Sequence, residues 1–185
     1  MLPAALLVSA LVAVATPAMA AEYNHITGTS GDDRILGTAG RDWVHARRGD
    51  DIVRGRRGAD ILEGHRGADV VRAGPGPDSA YGAQGSDVLR GAAGRDIVSA
   101  GAGPDRLYGG PGADRLVPAQ GRDHVWARRG NDRVSYSRDR RRDVIRCGPG
   151  ADTVRVSSAH GAPLDERDFD RQDVFVGCER FRLQL

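Results

Sequence analysis

Aliphatic side chains recur along this chain at a fixed interval of nine residues. Nine residues are too few for a helix and its connection, but they suffice for a turn of about six residues and a strand of about three. In so short a strand the middle side chain points away from its two neighbours, so the pattern predicts that the aliphatic residue faces inward. The predicted inward positions are Ile35, Val44, Val53, Leu62, Val71, Ala80, Leu89, Val98, Leu107, Leu116, Val125 and Val134.

Polar positions keep the same interval. An aspartate stands two residues before each aliphatic residue, and a glycine stands two residues before each aspartate, from Gly31 to Gly130. Such glycines supply the positive φ angles that tight turns require. The unit is G-x-x-G-x-D-x-U-x, where U is aliphatic, and it runs without a slip from residue 28 to residue 135. The aspartates are Asp33, Asp42, Asp51, Asp60, Asp69, Asp78, Asp87, Asp96, Asp105, Asp114, Asp123 and Asp132.

The interval predicts an all-β protein. Two repeats make one coil of 18 residues, so we expect a parallel β-roll, or β-helix solenoid, of two short parallel sheets packed back to back. Because successive coils lie about 4.8 Å apart, aspartates of odd-numbered repeats form one column and those of even-numbered repeats form another. With 26 glycines and only 5% aromatic residues, the interior is expected to be narrow and lined by small aliphatic side chains.

The aspartate columns predict a bound cation. Carboxylates about 5 Å apart repel by roughly 3 kcal/mol per pair at an effective dielectric of about 20, and calcium prefers carboxylate and carbonyl oxygens. The repeat resembles the hemolysin-type RTX calcium-binding repeat over residues 28–135. The resemblance resumes at Asp143-Val144-Ile145 and at 147–155, after an insertion of two residues near 140–142. This resemblance implies that each Ca²⁺ lies between the turns of repeats n and n+2, held by both aspartates and by turn carbonyls. We expect the calcium-free chain to be unstructured and the chain to fold at extracellular calcium concentrations.

Arginine enters several turns, and this opens an alternative. A guanidinium group can neutralise the aspartates without metal and repel a divalent ion, so the sites of repeats 3 to 5 and 12 are less favourable for calcium. The turn arginines are Arg47, Arg48, Arg56, Arg57, Arg66, Arg128 and Arg129. The most favourable predicted sites lie among Asp78, Asp96 and Asp114 on one side, and between Asp87 and Asp105 on the other. The alternative function is a metal-independent extracellular adhesive or scaffold solenoid.

The two ends differ from the repeats. Residues 1–20 carry no charged side chain and end in Ala18-Met19-Ala20, which predicts a signal peptide, a secreted extracellular protein and a mature chain that begins near Ala21 with no membrane span. An uncleaved anchor helix is the alternative, because the stretch is long enough to cross a bilayer. Residues 21–27 form a short lead-in, residues 28–155 the repeats, and residues 156–185 a predicted cap of the open solenoid end.

The chain has two cysteines, Cys147 and Cys178. In an oxidising compartment they are expected to form a disulfide that ties the cap to the repeats. Removal of residues 1–20, which carry no charged side chain, leaves the formal net charge at +2.

The remaining features concern partners. An outward column formed by the last residue of each odd-numbered repeat suits an acidic polysaccharide or another cell-surface polyanion, whereas scarce aromatics argue against nucleic acid. This column consists of Leu36, Arg54, Arg72, Arg90, Tyr108 and Trp126. Catalytic motifs are missing and only the lead-in precedes the repeats, so no enzyme is expected. The five histidines have no His, Cys or Glu partner at a metal-site spacing, so the sequence assigns them no metal. They are His25, His45, His65, His124 and His160.

Overall fold

The computed structural model describes residues 22–137, 139, 141–157 and 173–184. Within these residues the chain forms strands and no helix, and the strands make two parallel sheets. Accordingly, no described helix has the length and apolar character needed to cross a membrane. The predicted all-β parallel β-roll is confirmed. The predicted signal peptide at 1–20, and residues 158–172 of the predicted cap, lie outside the described residues.

Consecutive strands alternate between the two sheets, so each coil contributes one strand to each sheet. The nine-stranded sheet has the order β1 (Asn24–Thr27), β3 (Asp42–His45), β5 (Ile61–Arg66), β7 (Ser79–Gln84), β9 (Ile97–Ala102), β11 (Arg115–Gln120), β13 (Arg133–Ser137), β15 (Thr153–Ser157) and β17 (Arg180–Gln184). The eight-stranded sheet has the order β2 (Arg34–Leu36), β4 (Ile52–Arg54), β6 (Val70–Arg72), β8 (Val88–Arg90), β10 (Arg106–Pro111), β12 (His124–Arg129), β14 (Val144–Arg146) and β16 (Val174–Val176).

The register of the strands gives the length of a coil. Val53 pairs with Ile35 on one side and with Val71 on the other, so neighbouring strands are offset by 18 residues. Between β12 and β14 the offset rises to 20, since Val125 pairs with Ile145. Both the predicted coil length and the predicted two-residue insertion are therefore confirmed.

Three rows of residues face the interior. They are the aspartate of each repeat, the aliphatic residue two positions later, and the first residue of the next repeat, because side chains alternate along an extended chain. Leu89, Leu107 and Val125 are 0% exposed, as expected for the aliphatic row. Ala100 and Ala127 in the third row are also 0% exposed, which the sequence did not predict.

The strands are longer than predicted in the middle of the roll. β9 spans six residues and includes Ala100, and β5, β7, β10, β11 and β12 have the same length. The prediction of three-residue strands is wrong there, because the chain stays extended through the first positions of the next repeat. In these strands the third row belongs to the strand itself, whereas Ala73 is just as buried directly after the three-residue strand β6.

The described part of the predicted cap continues the stack. β16 pairs with β14 and β17 pairs with β15, so the last strands add to both sheets. Cys147 is buried and forms the predicted disulfide with Cys178. Tyr136, also buried, donates a hydrogen bond from its hydroxyl group to the carboxylate of Asp173. A final coil thus covers the end of the repeats and is tied to them covalently.

Candidate metal sites

The aspartates form two continuous columns, which we call the aspartate ladder. The backbone N–H of each donates to Oδ1 of the aspartate one coil further along: Asp69 to Asp87 over 2.8 Å and Asp87 to Asp105 over 2.7 Å. The even column repeats the contact, for example from Asp78 to Asp96 over 2.9 Å. The predicted separation into odd and even columns is present, and one oxygen of each inner carboxylate is used to hold the stack together.

The second oxygen of the inner carboxylates has no such role. Within the described residues, a row of Oδ2 atoms is buried and accepts no hydrogen bond. These atoms belong to Asp51, Asp60, Asp69, Asp78, Asp87, Asp96, Asp105, Asp114, Asp123, Asp132 and Asp152. Leaving a buried acceptor unsatisfied costs about 1 to 3 kcal/mol, and more when it is charged. A whole row of such atoms is therefore available to a positively charged ligand.

Burial changes the acidity of the ladder. Removal from water raises the pKa of most inner carboxyls from 3.8 to about 6, and the hydrogen bond from the neighbouring backbone N–H offsets only part of this rise. The same cause raises the pKa of Asp114 to about 7 and that of Asp123 to about 8, with further increases from the charges of neighbouring aspartates. At neutral pH the ladder is therefore costly to ionise unless a cation compensates for it.

Turn carbonyls lie beside the unpartnered carboxylate oxygens. At Gly82, a Cβ atom would lie 2.3 Å from Oδ2 of Asp87 and 2.7 Å from the carbonyl oxygen of Ala100 in the next coil. Gly55 and Gly109 are placed in the same way between an aspartate and a carbonyl of the following coil. A side chain would fill this space at these three positions, where glycine leaves room for a shared ion to reach both oxygens; Ala73, Ala100 and Ala127 take the same repeat position elsewhere. Carboxylate and carbonyl oxygens are the ligands that calcium prefers, so these residues fit the ion.

The turn arginines do not pair with the ladder. Between described residues, the ion pairs within 4.0 Å join Glu63 to His45 and His65, and none joins a turn arginine to an aspartate from Asp33 to Asp132. Arg47, Arg56 and Arg128 are exposed and lie at positive φ in the turns, whereas the aspartates are buried. The direct neutralisation by arginine that the sequence left open is therefore not seen in this structure.

The first coil departs from the rest of the ladder. Oδ2 of Asp33 accepts a hydrogen bond from the backbone N–H of Thr29 over 2.6 Å, and Oδ2 of Asp42 accepts one from that of Thr38 over 2.7 Å. The threonine hydroxyls donate to the same two carboxylates. Asp33 and Asp42, predicted as metal ligands with the others, are thus already satisfied by their own turns.

The ladder extends beyond the last predicted aspartate. The N–H of Asp123 donates to Asp143, the N–H of Asp132 to Asp152, and the N–H of Asp143 to Asp173. The sequence signal for these residues was an aspartate followed two positions later by a hydrophobic residue, as at Asp143 and Ile145. The repeat was recognised in the sequence at Asp143 and Asp152, but these two residues and Asp173 were not counted among the predicted ligands; the register of the coils places all three in the columns.

A second cluster was missed by the sequence. His45, Glu63 and His65 bring one ligand atom each to within 4.8 Å of one another. The prediction that no histidine has a metal-site partner is therefore wrong for two of the histidines. Glu63 lies one coil away from His45, so the pair could have been found from the sequence by applying the predicted 18-residue offset to the outward residues as well.

The predicted basic and aromatic column lies on the eight-stranded sheet. Its members are register partners, with Arg90 beside Tyr108 and Tyr108 beside Trp126. The two aromatic rings stack with centroids 4.7 Å apart, and the Arg90 guanidinium lies 4.8 Å from the Tyr108 ring. The column is continued by Arg146, whose guanidinium lies 5.7 Å from the Trp126 ring. A polyanion partner for this surface stays a prediction.

Comparison with known proteins agrees with the geometry of the ladder. The family model of the RTX calcium-binding nonapeptide repeat matches the chain in four copies, at residues 27–62, 63–98, 90–125 and 119–141. No curated protein matches the chain. The matched residues cover more than half of the sequence and include the ladder from Asp33 to Asp132. On the strength of this match and of the stacked 18-residue coils, the chain belongs to the family of proteins built from RTX calcium-binding nonapeptide repeats.

Proposed function

We propose that this chain is a secreted, non-enzymatic calcium-binding protein whose β-roll forms when calcium binds along the aspartate ladder. The observation that carries the proposal is the row of buried, unpartnered Oδ2 atoms in the inner coils. Turn carbonyls beside them supply further oxygen ligands, for example Ala100 beside Asp87. Ions held between coils would draw on an aspartate from each of two consecutive coils and on these carbonyls.

Binding and folding are expected to be coupled. The ladder buries many carboxyls in two columns, and burying a charge without compensation costs several kcal/mol per ion. The hydrophobic interior that opposes this cost is built from valine, leucine, isoleucine and alanine, with Tyr136 as its largest member. Because the site exists only when coils are stacked, the free energy of calcium binding adds directly to the free energy of folding.

Two features support export. Residues 1–20 have the apolar composition and the terminal Ala-Met-Ala of a cleaved signal peptide. The disulfide between Cys147 and Cys178 is stable in oxidising compartments and rare in reducing ones. Extracellular calcium is in the millimolar range, in which weak extracellular calcium modules operate.

The proposal is tested by circular dichroism and calcium counting on the chain without residues 1–20. At pH 7.5 in chelator we expect no parallel β signal, and we expect its cooperative appearance on titration with Ca²⁺, with several ions per chain in the native mass spectrum. Mg²⁺ at equal ionic strength is the control, because its smaller octahedral shell fits carbonyl-lined sites poorly.

The same experiment distinguishes the calcium-binding function from the metal-independent alternative. A metal-independent scaffold would keep its β signal and its melting temperature in excess chelator. That result, or a folded chain without bound calcium in the mass spectrum, would overturn the proposal.

A further inference from the structure

Three side chains of metal-binding type meet on the outward face of the nine-stranded sheet. His45 ends β3, and its register partner on β5 is Glu63. Glu63 and His65 stand on either side of the buried Gly64, so both point outward. Nδ1 of His45 lies 2.9 Å from Oε2 of Glu63, and Nε2 of His65 lies 3.0 Å from the same oxygen. The two strands therefore aim two imidazole nitrogens and one carboxylate oxygen at a common region.

The separations of these atoms suit a small divalent ion. Tetrahedral Zn²⁺ binds histidine nitrogen at 2.0 to 2.1 Å and carboxylate oxygen at a similar distance, so its ligand atoms lie about 3.3 Å apart. The observed contacts of 2.9 and 3.0 Å need only a small expansion to reach that value. The side chains of His45, Glu63 and His65 are 31%, 23% and 43% exposed, so solvent can supply a further ligand.

Neighbouring groups hold the three side chains in place. The indole N–H of Trp43 donates to Oε1 of Glu63 over 3.2 Å, which orients the carboxylate with Oε2 towards the histidines. The rings of His45 and His65 are nearly parallel, with an interplanar angle of 13° and centroids 5.9 Å apart. Hydrogen bonds from outside the ligand set that orient it are a regular feature of protein metal sites.

The repeat itself does not require this cluster. Two coils further along the same columns, Ser99 occupies the position of Glu63 and Gly101 that of His65. Outward positions are free to vary as long as the chain stays extended. The coincidence of two histidines and a glutamate on adjacent coils is thus specific to this part of the roll.

We propose that His45, Glu63 and His65 form a binding site for one divalent transition-metal ion, represented by Zn²⁺, separate from the calcium ladder. Imidazole nitrogen binds zinc, copper and nickel more readily than calcium, because calcium prefers oxygen ligands. The exposed Arg47 and Arg66 lie next to this site, and their positive charge limits its affinity to a moderate value.

The test is isothermal titration of the full mature chain, without a histidine tag, with Zn²⁺ in buffer containing millimolar calcium. Calcium keeps the roll folded and occupies the ladder. We expect one Zn²⁺ per chain with a Kd on the order of micromolar, and Co²⁺ is expected to develop visible ligand-field absorption from nitrogen ligands at the same stoichiometry.

Variants are chosen from residues that the roll already tolerates in the same columns. H65A introduces the residue found at Ala83, which has φ +85° where His65 has φ +76°. H45S introduces the residue found at Ser99, in the same outward column. Each is expected to weaken Zn²⁺ binding at least about tenfold, as loss of a ligand does. H124A, on the eight-stranded sheet, is the matched control and is expected to bind Zn²⁺ as the parent does.

Two results would overturn the inference. One is the absence of Zn²⁺ binding to the parent chain while its circular dichroism shows the folded roll. The other is binding that H65A and H45S leave unchanged, which would place the ion elsewhere. Either result leaves the calcium proposal intact, because that proposal is judged by calcium-dependent folding alone.

Discussion

The first coil and the inner coils use the same aspartate in two different ways. In the first coil, Thr38 donates its backbone N–H to Oδ2 of Asp42 over 2.7 Å. In the inner coils, the equivalent residue Ala92 has φ +90°, and its N–H donates instead to the carbonyl of Gly109 in the next coil, over 2.9 Å. The change of one backbone dihedral redirects the donor away from the carboxylate and leaves its Oδ2 unpartnered.

This difference shows that the aspartate of the consensus does not by itself make a metal site. In the first coil, the threonine of each turn donates hydrogen bonds to the aspartate of the same turn, as in an N-cap or ST-turn. In the inner coils, glycine, alanine, arginine or His65 takes the left-handed conformation at the same position. The calcium proposal therefore applies to the inner coils, and the first coil serves as an internal control.

The largest expected effect comes from G103A. Gly103 has φ +137°, and a Cβ atom there would lie 1.5 Å from the carbonyl oxygen of Gly85 in the preceding coil. The coils would have to separate to accept it, so we expect a loss of more than about 3 kcal/mol in the free energy of unfolding. Urea denaturation in saturating calcium measures this loss.

G31A is the matched control from the first coil. Among the described residues, the nearest side-chain or backbone atom to the Cβ position of Gly31 is Oγ1 of Thr29, at 4.0 Å. The variant is expected to change stability by less than about 0.5 kcal/mol. Equal destabilisation by G103A and G31A would contradict the contrast between the two regions.

The next largest effect is expected from D105N. The amide keeps an oxygen that can accept the N–H of Asp87, but it removes the charge and one carboxylate oxygen from the ladder. We expect fewer bound calcium ions per chain and a several-fold higher calcium concentration at the midpoint of folding. Native mass spectrometry and a calcium titration followed by circular dichroism measure both quantities.

D33N lies in the same column and provides the comparison. Its carboxylate is already bonded to Thr29, so the number of bound ions is expected to stay the same. Thr29 donates from both its N–H and its hydroxyl group to this carboxylate, so replacing one of the two acceptor oxygens by NH₂ is expected to cost about 1 kcal/mol of stability. A loss of calcium in D33N as large as that in D105N would show that the first coil also binds the ion.

The third effect concerns pH in the absence of calcium. Folded carboxyls with a pKa of about 6 to 8 hold protons that the unfolded chain, with a value of 3.8, has released. The folded state therefore binds more protons over this range, and its stability falls as the pH rises from about 4 to about 8. In calcium-depleted buffer we expect a parallel β signal at pH 4.5 that is lost as the pH rises to 7.5.

Saturating calcium is expected to remove this dependence, because the ion competes with protons for the same oxygens. A calcium-free chain that is more stable at pH 7.5 than at pH 4.5 would contradict the burial of ionisable oxygens in the inner coils.

The repeat alone determined the parallel roll, the 18-residue coil, the two columns of aspartates and the inward aliphatic row. These follow from a strict interval and from the alternation of side chains, both of which are local properties of the chain. The disulfide between Cys147 and Cys178 was also expected from the sequence. Asp143, Asp152 and Asp173 were not predicted as ligands, although the repeat was recognised around the first two, because the strict nine-residue interval ends before them.

Tertiary structure alone decided which ladder oxygens remain unpartnered and which outward side chains meet. The sequence shows Asp33 and Asp87 in identical repeat positions, yet the N–H that satisfies the first is turned towards the next coil in the inner repeats. Likewise, His45 and Glu63 become neighbours only when one coil is laid on the next. Both outcomes depend on contacts between residues 18 positions apart, and such contacts exist only after the coils have stacked.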